Sequence, residues 1–385
     1  MIIPLADRLG DVKTYYFVKK LEEIRQMNAE GKDVISFGIG SPDMVPDKSV
    51  VEAMIKAAEQ SSTHGYQPYK SIPELREAIA TFYRKTYHVA FNADEQVLPL
   101  MGSKEGILHT TLAFVNPGDA ILAPNPGYPT YTSLSKLLGA EVKYYDLKEE
   151  NDWYPDFEEL EKQDLSNVKL MWLNYPHMPT GTPAKKEVFE KYVAFAKKHK
   201  ILICHDNPYS LVLNKNKPLS IFSIDGADEV ALELNSFSKA QNMAGWRVGM
   251  MLGGKKYIDA ALRVKSNIDS GMFYGIQQAA VKAMGLSETW HAERNEIYAK
   301  RRKWVFKILD KLNFQYNKEQ EGLFVWAKPL NGSSGESIEE MIDRILYKKH
   351  IFFTPGSIFG SNGKEYLRLS LCVPEERIKE AFERL

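Results

Sequence analysis

The sequence predicts an α/β protein built as two domains. Three observations carry that expectation. The chain has 385 residues, more than one simple core organises. Short apolar runs of strand length, such as Val168–Leu173 and Ile201–His205, alternate with helix-like stretches such as Lys185–Lys200. Polar loops rich in Gly, Pro, Ser and Asn follow several of these runs directly. In open α/β sheets, ligands bind just beyond the carboxyl ends of the strands.

Composition narrows the function. Fifty acidic and fifty basic residues cancel, so no basic face for nucleic acid is expected. Two cysteines far apart, Cys204 and Cys372, give neither a metal spacing nor a disulfide framework. That usage suits a reducing, cytoplasmic setting. No apolar run approaches the ~18 residues of a membrane span, and the N-terminus does not read as a signal peptide.

In chain order, 11–30 is helix-like and carries Tyr15, Tyr16 and Phe17. Asp33–Phe37 reads as a strand entering Gly38-Ile39-Gly40-Ser41-Pro42-Asp43. A nicotinamide-binding loop is excluded there. The third glycine is missing, and Pro42 and Pro46 stand where the helix should begin. Lys48–Gln60 is an amphipathic helix, Tyr66 lies in the next loop, and Pro73 is placed to open another helix. Gln96–Met101 is a strand. Gly102, Ser103 and Lys104 then turn into a helix, and such a start suits a phosphate.

Asp119–Pro124 and Glu141–Leu147 are strands, with Tyr128 and Tyr131 in the loop after the first. Val168–Leu173 leads to Asn-Tyr-Pro-His-Met-Pro-Thr-Gly, and Ile201–His205 leads to Asp206-Asn-Pro-Tyr209. Val230–Leu234 and Val248–Leu252 flank SFSKAQNMAGWRVG, residues 236–249. Ser236 and Ser238 offer hydroxyls, and Arg247 offers a fork suited to phosphate. Beside them, Lys239 is placed to form a Schiff base with an aldehyde cofactor.

Beyond Leu252 helices dominate, with a long one over Trp290–Leu312. Three strands follow at Leu323–Ala327, Ile351–Thr354 and Tyr366–Leu371, and helices at Ser337–Lys349 and Pro374–Arg384. Leu330–Ser337 reads as a surface loop. Arg368 sits inside an apolar strand, where an arginine requires a partner.

The segment around Lys239 resembles the cofactor-lysine segment of the class I/II aminotransferases, enzymes of fold type I that use pyridoxal 5′-phosphate. The other motifs match that family in order. The resemblance implies a three-layer α/β/α large domain with a mixed, mostly parallel sheet, residues 46–285. It pairs 1–45 with 286–385 as a smaller α+β domain. It implies Lys239, Asp206 and Tyr209 as catalytic residues. Tyr66, Gly102, Ser103, Lys104, Tyr128, Ser236, Ser238 and Arg247 would join them around the cofactor. Tyr128 would stack on its ring, with Tyr131 the alternative. Tyr15, Gly40 and Arg368 would meet the substrate, Arg368 through its α-carboxylate.

It further implies amino acid and 2-oxo acid substrates, ping-pong kinetics, and a homodimer in which Tyr66 reaches the neighbouring site. GSKEGI, NPGYP and SNIDSGMF look most like the branch of the LL-diaminopimelate aminotransferases. Met178 departs from the pattern. It stands where the family has an asparagine that donates to the cofactor's phenolic oxygen, and a thioether cannot donate. Two alternatives keep the fold: a carbon–sulfur lyase, and a binding protein with impaired catalysis.

Overall fold

The computed structural model describes residues 2–10, 16–330 and 335–385. Its centre is a seven-stranded mixed sheet. Five strands, Ala231–Ser236, Leu202–Asp206, Val168–Leu173, Ala120–Asn125 and Glu141–Asp146, run parallel in that spatial order. Gly249–Gly253 pairs antiparallel beyond Ala231–Ser236, and Val97–Leu100 pairs antiparallel beyond it in turn.

The strand sequences explain the layering. The inner strands are mostly apolar runs because both faces are covered, whereas the edge strand Glu141–Asp146 is largely polar. Along Val168–Leu173, Leu170 and Trp172 join one apolar cluster while Met171 and Leu173 join another. Successive side chains point to opposite faces, so this alternation puts helices on both sides. Ser103–Phe114 and Lys255–Lys265 cover one face, and Lys186–His199 the other. Cys204 is fully buried.

A four-stranded antiparallel sheet, ordered Thr354–Pro355, Leu367–Ser370, Phe324–Pro329, Phe314–Tyr316, carries a separate cluster. That cluster includes Ile24–Phe37 residues and the inner face of the Glu288–Lys311 helix.

Several boundaries differ from the sequence reading. The expected strand Ile351–Thr354 is two pieces. Ile351–Phe352 pairs parallel with Ile35–Ser36, whereas Thr354–Pro355 pairs antiparallel with Leu367–Ser370. One apolar run thus serves two sheets. The long helix begins at Glu288 because Ser287 accepts the Trp290 N–H and caps it. Helix Pro129–Leu137 and strand Phe314–Tyr316 were not expected. Of the expected loop Leu330–Ser337, residues 331–334 lie outside the described residues.

The parallel strands share one carboxyl edge. It brings Asn125, Leu173, Asp206 and Ser236 together, and Leu100 reaches the same edge through its antiparallel neighbour.

Candidate active site

A cleft of about 450 Å³ opens at that edge. Ser103, Lys104, Tyr128, Asp206, Tyr209, Ser236, Ser238, Lys239, Arg247, Gly40 and Arg368 all line it. Residues more than three hundred positions apart therefore share one space. Tyr66 does not line it and is 92% exposed. Tyr15 lies outside the described residues.

Lys239 is carried by the short helix Phe237–Ala240. Ser236 caps that helix by accepting the Ser238 N–H at 3.1 Å. The Lys239 ammonium donates to the Gly40 carbonyl at 2.5 Å. Burial pushes its pKa below the ordinary lysine value, and Arg368 and Arg247 push the same way against Cys372 and Asp206. An amine that loses its proton more readily is a better nucleophile and base.

One end of the cleft is built for an anion. Helix Ser103–Phe114 starts there, so its first N–H groups lack helical partners. Gly102 has φ +91°, and a Cβ on it would meet Arg247 Nη2 at 2.2 Å. The glycine thus lets the guanidinium lie against the helix start. Lys104 adds a second cation, its pKa lowered by burial and by Arg247.

The floor is different. Asp206 is 5% exposed at its strand's end. Its Oδ2 accepts from the Tyr131 hydroxyl at 2.7 Å, while Oδ1 is buried with no hydrogen-bond partner. Burial raises the Asp206 pKa to about 6, against Tyr131, His205 and Lys239. A buried acceptor without a donor costs free energy unless something fills it.

Tyr131, the alternative to Tyr128, also lines the cleft, but its ring is already engaged. Its ring lies flat on Trp172, 4.9 Å between centroids and 1° between planes. Tyr128 stands edge-on to it at 5.5 Å and faces the cleft. Tyr209 sits against Phe324, and burial raises its pKa.

Arg368 spans the far side. Nη2 donates to the Gly38 carbonyl at 2.7 Å, Nη1 lies 3.3 Å from Met178 Sδ, and the guanidinium covers the Phe324 ring at 3.9 Å. Gly40 fits because a Cβ there would strike that same ring at 2.2 Å. Asn174 gives one amide hydrogen to the Asp206 carbonyl and accepts the Met178 N–H. His177 does not line the cleft, and burial lowers its pKa to about 3. Val18, Leu21, Ile39 and Phe359 also line the cleft. The sequence offered no signal for them beyond apolar character, because their shared space exists only in the fold.

Residues 32–385 match the family profile for aminotransferases of class I and II. The chain belongs to that family. LL-diaminopimelate aminotransferases from Dehalococcoides mccartyi and Gloeobacter violaceus are 39% and 41% identical to it. Each alignment spans 99% of this chain, and 98% and 97% of those relatives. Among solved structures, apo BacF from Bacillus subtilis superposes with a TM-score of 0.95 at 35% identity, covering 99% and 97% of the two chains. A Thermus thermophilus aspartate aminotransferase variant gives 0.91 at 25%, covering 99% and 98%.

Aminotransferases of this family use pyridoxal 5′-phosphate, and this chain is a pyridoxal-phosphate-dependent transaminase with the fold type I architecture. The cleft fits that cofactor on its own chemistry. The anion site suits its phosphate, and the bare Asp206 Oδ1 suits a protonated ring nitrogen. Among the described residues, no helix is long and apolar enough to cross a membrane.

Proposed function

We propose that this cleft transfers an amino group between an L-amino acid and a 2-oxo acid, with Lys239, Asp206 and Tyr209 as its catalytic residues. The observation that carries the reading is Asp206. Its unpartnered, buried oxygen shares one cleft with Lys239, whose pKa burial lowers, and with Arg247 and Arg368. Ser103, Lys104, Ser236, Ser238 and Arg247 would hold the cofactor's phosphate, with Gly102 allowing their approach. Tyr128 would cover its ring, and Tyr209 would meet its phenolic oxygen. When bound, pyridoxal 5′-phosphate supplies an aldehyde carbon and a ring that withdraws electrons from the substrate's Cα.

Lys239, with its amine in the cleft, would be the residue that holds the aldehyde and, once free, the base that takes the substrate's Cα proton. An ionised Asp206 would favour a protonated ring nitrogen. Arg368 grips the α-carboxylate in a fork, exchanging the Gly38 carbonyl for it. Gly40 releases Lys239 in the same exchange.

We further propose a cytoplasmic homodimer in which the exposed Tyr66 completes the neighbouring site. Residues 46–285 form the large domain, and 1–45 with 286–385 the small one.

The names of the relatives support a diaminopimelate-like substrate. A second reading has its own observation. Among the described residues, the only charged side chains lining the cleft are Lys104, Asp206, Lys239, Arg247 and Arg368, all engaged above. Val18, Leu21, Ile39 and Phe359 make its remaining wall apolar, which favours an apolar side chain.

Steady-state assays with a panel of donors and 2-oxo acids test both. Ping-pong kinetics with diaminopimelate as best donor supports the first reading, and a leucine- or phenylalanine-type donor supports the second. Pyruvate and ammonia formed from cysteine-type substrates without an acceptor would instead mark a lyase.

A further inference from the structure

We infer that Tyr131 is a positioning residue for Asp206: it holds one carboxylate oxygen and leaves the other available to the cofactor's ring nitrogen. The inference rests on the role of Asp206 proposed above.

The geometry is specific. Tyr131 is 1% exposed and Trp172 fully buried. The flat stack on Trp172 and the edge of Tyr128 fix the Tyr131 ring from two sides. Its hydroxyl therefore has little freedom and lies 2.7 Å from Asp206 Oδ2. Asn174 anchors the same aspartate through its backbone carbonyl at 2.5 Å. The carboxylate is thus tied at one oxygen and along its main chain, and Oδ1 remains without a partner.

The neighbouring titratable groups do not do this job. His205 precedes Asp206, but its Nδ1 lies 3.2 Å from Glu233 Oε2 and its Nε2 3.0 Å from the Tyr175 carbonyl. Glu233 itself receives Tyr83, Asn207, Ser220 and the Ile221 N–H. Lys239 points to the Gly40 carbonyl. Tyr128 meets Tyr131 through its ring edge and not as a donor to the carboxylate. Tyr131 is the one side-chain donor to the Asp206 carboxylate among the described contacts.

A phenol donating to a carboxylate favours the charged form. Burial alone favours the neutral form, and a neutral aspartic acid would not hold a proton on the ring nitrogen. Tyr131 therefore opposes the cost that burial imposes on Asp206. The flat stack explains why an aromatic ring, rather than a flexible donor, occupies the position.

The test uses holoenzyme loaded with cofactor carrying 15N in its ring. Tyr131→Phe keeps the ring and its stack but removes the hydroxyl. With it, the ring nitrogen should lose its proton at a pH about one to two units lower than in the wild type. Cofactor should dissociate about ten- to hundredfold more readily, as expected for one hydrogen bond to a charged group. Tyr131→His, which restores a donor, should recover part of both effects. It also serves if the phenylalanine variant does not fold.

Asp206→Asn is the comparator. If it moves the nitrogen signal while Tyr131→Phe and Tyr131→His both match the wild type, the inference about Tyr131 is overturned and the role of Asp206 stands. If Asp206→Asn also leaves the signal unchanged, the role of Asp206 itself is wrong, and the inference falls with it.

Discussion

The floor and the mouth of the cleft are built by opposite rules. The floor consists of Asp206, Tyr131, Trp172 and Asn174, which are buried and joined by short hydrogen bonds and stacking. Each belongs to a strand of the central sheet, to its carboxyl end, or to a helix packed on it. The mouth is Val18, Leu21 and Ile39, on the Tyr16–Ala29 helix and the loop after Ile35–Ser36. Val18 and Ile39 are 58% and 43% exposed. Rigid sheet ends fix the positions that proton movement needs. On the proposed reading, an apolar, partly open rim would meet the variable part of a substrate, where a methylene more or less changes preference only modestly.

Substitutions at the two regions should therefore separate cleanly. The largest effect belongs to the lysine. Lys239→Ala should lower kcat about a thousandfold or more, measured as product formed per active site per unit time, because both attachment and proton transfer go.

Asp206→Asn comes next, and its sign is unusual. The ordinary value for an aspartate is 3.8, and the buried one is raised to about 6. The fold thus binds this proton more tightly than the unfolded chain does. The stability that this proton contributes is fully present below pH 3.8 and is lost as pH rises through 6. Ionised Asp206 then costs the cofactor-free protein about 3 kcal/mol by linkage. Asp206→Asn should make the cofactor-free protein more stable at pH 8, by up to that amount, in urea titrations. The gain should vanish near pH 4, while amino transfer is lost at every pH. A variant no more stable at pH 8 would mean that the floor holds Asp206 without strain.

Arg368→Lys should raise KM for the donor roughly tenfold to a hundredfold with a smaller change in kcat. An ammonium cannot reproduce the fork. Met178→Asn should lower the pH midpoint of the holoenzyme's visible band by about one unit, since a donor to the phenolic oxygen favours its ionised form. Ile39→Ser should do least, changing the ratio of kcat/KM between apolar and polar donors by about tenfold or less. Equal losses for all donors would break the distinction between floor and mouth.

Much of this was legible in the sequence, and the limits have physical causes. Val168–Leu173 was readable to the residue because it is an apolar run, broken only by the exposed Lys169, and is ended by a polar turn. Asp206, Tyr209, Lys239, Arg247 and Arg368 were legible because strand-end chemistry leaves short, ordered motifs. The split of Ile351–Thr354 was not, since one half pairs with a strand more than three hundred residues away and the other with the next strand of a different sheet. Tyr131 was noticed only as a spare aromatic. Its bond to Asp206 crosses 75 positions and exists only when two strand ends meet. The helix Pro129–Leu137 that carries it was missed because Thr and Ser interrupt its pattern.

The most direct test of the account is where the cofactor is held. Borohydride reduction of the loaded protein fixes the cofactor to the amine that holds it, and peptide mapping by mass spectrometry then names the residue. The account predicts one modified lysine, Lys239, with no labelling of Lys104 or any other site. Modification at a different lysine, or none in protein that still transfers amino groups, would contradict it.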